Sequence, residues 1–561
     1  MKIPRSTELM NLGNTYNALG DSTKAIKYLQ QSVAIERNTN PSIGLGKALH
    51  NLGIAFQNQG NLSAAEQALT EAIQVRESIR VNSGNNLNRV LAFDSLANTY
   101  RILQEVLVTQ NKTDTALEIS EAGRARALVD LLTNVDNYSH NQSKKDSLKI
   151  EQIKQIAETQ NATIVQYSDI DHRSKVEGSG KVNTRKSELY VWVIKPTGEI
   201  KFKPVDLKSI LQKENTTLGE LVDNIRDSIG VRDRSIFAQT NSTNQNTTAK
   251  RDQFDIKIFP SPDDDPSKDL QKLHQILIDP IADLLPTDPN ERVIFIPQNE
   301  LFLVPFPALK DAQGKYLIEK HTILTAPSIQ VLGLTHERAK EVKLASVQNA
   351  LVVGNPDMPS VAPNIREEAQ PLSKLPGAEK EAKAITPLLK ENKLKTKLLR
   401  DKQATKAAVL ELLPQARIIH FATHGLFDNI QGLHSAIALA PSGKDNGLLT
   451  AEEILNLKLN ADLVVLSACN TGRGRITGDG VIGLSRSLIS AGTPSVIVSL
   501  WAVPDAPTAE LMTEFYKNLL NKQKPLDKAQ ALRQAMLKFK DKPPKDWAAF
   551  TLIGESNQVI N

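Results

Sequence analysis

Leu463-Val464-Val465-Leu466-Ser467-Ala468-Cys469 is an apolar run of strand length that stops at Asn470-Thr471-Gly472. A short continuous apolar run bounded by turn residues reads as a fully buried strand. A second run, Ile418-Ile419-His420-Phe421-Ala422-Thr423, stops at His424-Gly425. As neighbours in one parallel sheet, these strands would hold a thiol and an imidazole side by side at their carboxyl ends. Open α/β sheets carry their active sites at that edge. Cys469 is the single cysteine in 561 residues. A lone cysteine is ordinarily a small buried hydrophobe, but its strand-end place and the matching His-Gly favour a nucleophile.

Around these two runs the chain alternates. Apolar runs at 293–296, 350–353 and 495–500 predict strands, and helical patterns lie at 378–389, 405–412 and 481–491. Such alternation means a mostly parallel sheet covered by helices on both faces. Upstream, 162–167 and 189–194 read as strands, and Pro196-Thr197-Gly198 turns the second into a hairpin with 200–202. Residues 232–268, with the run Gln239-Thr240-Asn241-Ser242-Thr243-Asn244-Gln245-Asn246, are too polar to bury a core and predict a disordered insertion.

The first segment repeats. Leu12-Gly13-Asn14 returns as Leu52-Gly53-Ile54, Tyr16 as Phe56, Gly20 as Gly60, Ala25 as Ala65 and Leu29 as Leu69, each 40 residues later. These small and large residues fall at the spacing of tetratricopeptide helix pairs, although the usual period is about 34. A degenerate third copy is expected near Leu96-Ala97-Asn98-Thr99-Tyr100. Two to three repeats sit near the minimum for a stable stack. An Ala- and Arg-rich helix over 115–132 leads out, and 134–141 reads as a polar connector. The expected domains are 1–133 (α-solenoid of tetratricopeptide pairs), 148–345 and 346–561.

Composition narrows the function. With 40% hydrophobic and 23% charged residues the chain is an ordinary globular protein. One cysteine excludes an internal disulfide framework and most thiolate metal sites, and fits a reducing compartment. The N-terminus has no apolar signal core and no apolar stretch of about 18 residues occurs, which predicts a cytoplasmic protein without membrane contact. The net charge of +5 is small, and Lys and Arg are scattered among acids, so direct nucleic-acid binding is not expected. No metal and no cofactor are expected.

Several segments together carry a family resemblance. They are 301–309 (LFLVPFPAL), Val353-Gly354-Asn355-Pro356, Leu375-Pro376-Gly377-Ala378, His420 to Gly425, Leu466 to Gly472, Ser499 to Asp505, and Trp547-Ala548-Ala549-Phe550. In this order and register the chain resembles CHAT-type caspase-like cysteine peptidases, related to separases, with tetratricopeptide repeats ahead of the peptidase region. The 45-residue lead of His424 over Cys469 is close to the roughly 50 seen in caspases. The resemblance implies a caspase-like fold whose first half, 148–345, is degenerate, since no second Cys-His pair occurs there. It also implies Cys469 as nucleophile and His424 as general base, with the backbone N–H groups of Cys469 and Gly425 as the oxyanion hole. The implied activity is cleavage of a protein substrate, controlled by a regulatory protein partner acting through the repeats. A decayed scaffold or signalling adaptor is the alternative.

Other residues are weighed beside these. His420 reads as a buried structural histidine by strand period, and His434 as an exposed loop residue. The glycines of 472–480 suggest a phosphate loop, but no Walker lysine-serine pair follows. The resemblance implies a cleft-shaping loop after the nucleophile, which is the better reading. The resemblance implies that the loop leaving the strand 495–500 walls the pocket, which makes Asp505, desolvated by Trp501, a candidate substrate-binding acid for a basic residue before the scissile bond. Its competing role is to cap the helix beginning near Ala506. If the chain nicks itself, the insertion is the place, since extended backbone is accessible there; Lys250 and Arg251, and Arg185 and Lys186, are the candidates if basic residues are accepted, against the favoured reading of a solvated charge cluster.

Overall fold

The computed structural model describes residues 5–38, 43–81, 86–134, 147–175, 182–213, 216–229, 231, 266–344, 348–362, 368–428, 432–469, 471–473, 475–477 and 480–556. Three helix pairs come first: Ser6–Ala18 with Ser22–Arg37, Ile43–Gln59 with Leu62–Val81, and Asn86–Thr109 with Thr113–Ala122. The repeated small residues act as expected. A Cβ on Gly13 would lie 2.6 Å from Leu29 Cγ, and one on Gly53 2.5 Å from Leu69 Cγ, so only glycine lets each pair close.

The third copy is shifted from its expected place. Asp21 N–H bonds the Tyr16 carbonyl, Asn61 that of Phe56, and Lys112 that of Leu107. Asn111 carries the positive φ that Gly20 and Gly60 have in the first two turns. Leu107, not Tyr100, is therefore the counterpart of Tyr16, because the first helix of the third pair is longer. The single helix expected over 115–132 is two, Thr113–Ala122 and Arg126–Asn134. The break falls at Gly123–Ala125, where Ala125 has φ 46° and Arg124 donates to the carbonyls of Pro297 and Tyr167.

The rest of the chain builds one sheet of eleven strands. They are β1 Ala162–Lys175, β2 Val182–Ile194, β3 Ile200–Asp206, β4 Arg292–Ile296, β5 Thr322–Thr325, β6 Asn349–Pro356, β7 Lys395–Asp401, β8 Ala416–Ala422, β9 Leu463–Ser467, β10 Ser495–Ser499 and β11 Phe550–Gly554. The order is β3-β2-β1-β4-β5-β11-β10-β9-β8-β6-β7. Pairing is parallel except at β3-β2-β1 and β10-β11. The expected halves thus share a continuous sheet, joined where β5 meets β11.

Both faces are covered. Ile418, Val465 and Ile497 pack toward helices Pro376–Glu391, Asp505–Leu519 and Lys528–Phe539 in one core. Ile419, Val464 and Val496 join Leu484, Leu488 and Val129 in the other. The strands are apolar on both sides for this reason.

Three expectations need correction or relocation. Helix Pro266–Leu277 begins inside the stretch assigned to the insertion, since its Leu270, Leu273, Ile276 and Leu277 are buried. Residues 232–265, with Lys250 and Arg251, and the connector residues 135–141 lie outside the described residues. Arg185 and Lys186 lie within β2, at the irregularity in its pairing with β1 and ahead of the stretch that pairs with β3, so they sit in a strand and not in a loop.

Candidate active site

Register brings the two candidate side chains to one edge. β8 and β9 pair in parallel with Ile418 opposite Leu463 and Ala422 opposite Ser467. His424 and Cys469 each stand two residues beyond those last partners, at matching positions of neighbouring strand ends. The approach is close: a Cβ on Gly425 would lie 2.4 Å from the Cys469 carbonyl oxygen and 2.9 Å from Thr471 Cγ2. Glycine at 425 is what lets the two strand ends meet.

The loop carrying Cys469 is pinned by hydroxyls. Thr471 Oγ1 donates to the Leu466 carbonyl at 3.2 Å and accepts from Ser499 N–H at 3.0 Å. Gly472 N–H bonds the Ser499 carbonyl at 2.8 Å, and Ser499 Oγ donates to the Ala468 carbonyl. Sequence alone assigns Thr471 and Ser499 no role. Their signal is a small hydroxyl residue at each of two adjacent strand ends.

His424 Nε2 lies 2.8 Å from the Ser373 carbonyl. A carbonyl can only accept, so Nε2 carries the proton and Nδ1 is the basic nitrogen of the neutral ring. Gly425 opens a short strand, Gly425–Leu426, that pairs with Ala436–Ala438. Ala438 N–H bonds the His424 carbonyl, which makes Gly425 and Ile437 a non-hydrogen-bonded pair. The Gly425 N–H therefore turns away from that strand.

Cys469 Sγ is partly buried and 3.9 Å from the Val503 carbonyl. Burial pushes its thiol up from the ordinary range, and the Asp505 carboxylate pushes the same way. Asp505 is the first residue of helix Asp505–Leu519, whose N-cap is Pro504. Its carboxylate reaches across to another helix, accepting from Gly377 N–H at 2.5 Å and Ala378 N–H at 2.8 Å. The capping role exists, but on the N-terminus of helix Pro376–Glu391. Asn355 Oδ1 accepts from Leu375 N–H beside it. Three of the quoted motifs, at 353–356, 375–378 and 499–505, are thus one knot beside the thiol. Trp501 is fully buried and donates its indole N–H to the Lys545 carbonyl.

Beneath the site, His420 is buried as expected. Its Nε2 lies 2.8 Å from Glu381 Oε1, and its Nδ1 3.3 Å from the Tyr516 hydroxyl. Burial raises the Glu381 carboxyl above its usual range and His420 offsets part of that. Glu381 and Tyr516 were missed in the sequence because helical Glu and Tyr give no sign of being buried. His434 is exposed and lies 3.5 Å from Asp428. The glycine-rich stretch forms a hairpin of Arg475–Thr477 and Gly480–Ile482, and Arg473 stacks 4.7 Å over the Phe427 ring. Among the described residues no group of His, Cys, Asp and Glu could hold a metal ion. No described helix is long and apolar enough to cross a membrane.

Known proteins bear on this geometry. The CHAT domain family matches residues 267–555, and the tetratricopeptide repeat family matches 6–78. Tetratricopeptide repeat protein 28 of Mus musculus is 27% identical over 91% of this chain, which spans 24% of that relative's length. The separase of Saccharomyces cerevisiae, solved in complex with securin, is 10% identical with a TM-score of 0.47, over 98% of this chain and 47% of the separase. The Arg-specific cysteine proteinase gingipain R is 12% identical with a TM-score of 0.35, over 52% of this chain and 68% of the proteinase.

Proposed function

This chain belongs to the CHAT domain family, and from that premise we propose that it is a cysteine endopeptidase working through Cys469 and His424. The observation that carries the reading is the approach of Gly425 to the Cys469 carbonyl, which joins the imidazole and thiol strand ends in register. His424 Nδ1 takes the thiol proton, and the thiolate attacks the scissile carbonyl carbon. The N–H groups of Cys469 and Gly425 hold the resulting oxyanion. The imidazolium then protonates the leaving amine as the C–N bond breaks, and water hydrolyses the thioester in a second, equivalent cycle. The Ser373 carbonyl keeps the ring in the tautomer that this needs.

Asp505 is proposed as the acid facing a basic residue before the scissile bond. Each oxygen holds one backbone N–H, and an ionised carboxylate has about four acceptor sites, so capacity remains for a guanidinium. The tetratricopeptide pairs are proposed to receive a regulatory protein partner, and the site of action to be the cytoplasm. A decayed, non-catalytic scaffold is favoured by one observation, the partly buried thiol that burial and Asp505 push up from the ordinary range.

A peptide-library digest separates the two. Wild-type protein should cleave with Cys469→Ala and His424→Ala both inactive, and cleavage should favour Arg or Lys before the scissile bond. Failure of the wild type to turn over any library member, with or without a partner protein captured by the repeats, would leave the scaffold reading.

A further inference from the structure

Arg226 lies in the half of the chain that has no Cys-His pair, on helix Leu218–Ser228. It is 1% exposed, and its guanidinium fork makes two backbone contacts. Nη1 donates to the Leu303 carbonyl at 3.0 Å and Nη2 to the Leu500 carbonyl at 3.1 Å. The guanidinium carbon is 6.0 Å from the Trp501 ring centre.

Each contact leads to the candidate active site. Leu303 ends the short helix Asn299–Leu303, and the hairpin that follows the nucleophile, Arg475–Thr477 with Gly480–Ile482, lies against it. Leu500 leaves β10 and begins the segment 500–505. Val503 of that segment meets Cys469 Sγ, and its Asp505 caps helix Pro376–Glu391. The segment is held at both ends, by Leu500 N–H on the Ala549 carbonyl with Arg226 at the start, and by Asp505 at the finish.

We infer that Arg226 is a positioning residue for the peptidase site, a fork that ties the support of the post-nucleophile hairpin to the wall segment 500–505. The inference rests on the peptidase reading for its kinetic consequence, not for its geometry. It gives the dyad-less half a part in the chemistry. A planar fork can serve two carbonyls at once, whereas an ammonium is a point donor on a flexible stem. Arg226→Lys keeps the charge and loses the bridge. The helix that carries the fork starts at a capping box, Thr217 with Glu220, and ends with Val231 N–H on the Arg226 carbonyl. The fork's place is therefore set from both ends of that helix.

The test uses the full-length chain. In Arg226→Lys, amide hydrogen exchange over 500–505 should quicken while that of β8 and β9 stays as in wild type. The pH profile of Cys469 alkylation by iodoacetamide should shift, because the Val503 and Asp505 surroundings of the thiol move. Peptide turnover per titratable thiol should fall by between about tenfold and a hundredfold, the scale for a reacting group displaced by an ångström. Thr217→Ala loosens the same helix without touching the fork, and should show a weaker form of the same pattern if Arg226→Lys does not fold. A merely structural role would lower the melting temperature and leave exchange over 500–505, the alkylation profile and turnover per thiol unchanged. That result overturns the inference. Absence of turnover in the wild type would defeat the peptidase reading alone, because exchange and alkylation are read without it.

Discussion

Gly425→Ala should disable the candidate site while leaving the fold in place. The new methyl would stand 2.4 Å from the Cys469 carbonyl oxygen and 2.9 Å from Thr471 Cγ2, where ordinary contact begins at 3.4 Å. Neither neighbour can retreat easily. Thr471 is bonded to Leu466 and Ser499, and the Ala468 carbonyl to Ser499 Oγ. The strand ends must therefore part by about 1 Å, and a misplacement of that size costs roughly a hundredfold in rate. The N–H of residue 425 moves with it, and removing one oxyanion donor costs about 10²–10³ in kcat. Because one displacement produces both effects, they overlap, and the expected loss in kcat/KM is about 10²–10³. Overpacking a tight contact costs about 1–3 kcal/mol of stability, enough to lower the melting temperature without unfolding the chain. The assay is fluorogenic peptide cleavage normalised to titrated thiol, with a thermal melt alongside. A variant with wild-type kcat/KM would refute both the close approach and the oxyanion assignment.

Cys469→Ala and His424→Ala should each abolish peptide cleavage with unchanged circular dichroism, since a nucleophile and its base act as a unit; substantial turnover in either would remove the dyad. Alkylation of Cys469 should accelerate with pH through an inflection above the ordinary thiol range, because burial and Asp505 both disfavour the thiolate. Asp505→Asn removes a like charge, so the inflection should move down. An inflection that stays or rises would show that Asp505 does not act on the thiol. Glu381→Ala leaves the His420 ring buried without its hydrogen-bond partner, and an unsatisfied buried polar group costs about 1–3 kcal/mol. Urea unfolding reads this directly, and a loss within the roughly 0.5 kcal/mol of a surface change would count against the pair.

Strands buried on both faces were readable wherever a short apolar run ended at turn residues, as at 418–422 and 463–467. β5, β7 and β11 were missed for separate reasons. β5 has four residues, β7 carries Lys395, Lys397 and Arg400 at the open edge of the sheet, and β11 pairs with strands far away in sequence. Lysines on an edge strand guard against pairing with other chains, and the same residues hide the strand from a hydrophobic pattern. The third repeat is misplaced in a reading of sequence because Tyr100 offers the right residue type seven residues, about two helical turns, before Leu107, the position that the chain reversal at Asn111 defines. His424, Gly425 and Cys469 can be singled out as candidates from sequence because each is marked locally, by strand end and by residue type. Glu381, Tyr516 and Arg226 carry no local mark, as their partners lie 39, 96 and 274 residues away.

Asp505 shows why pattern alone could not divide structure from specificity. The sequence offered two roles for one acid, a helix cap or a pocket wall, and treated them as rivals. In the fold the carboxylate caps a different helix from the one it begins, and that contact is what brings it beside the thiol. Gly377 is closed in by this contact, since a Cβ there would lie 2.6 Å from Asp505 Cγ. A carboxylate held by two N–H groups at a helix N-terminus is fixed in direction, which is also what recognition of a basic side chain requires. Gly377→Ala should therefore disturb both roles together. The methyl would push the carboxylate off the helix, and the Val503 carbonyl, two residues away on the same segment, would leave Cys469 with it. The thiol inflection and the preference for a basic residue should shift in the same variant. If the preference changed and the thiol did not, Asp505 would belong to the pocket without setting the thiol's surroundings.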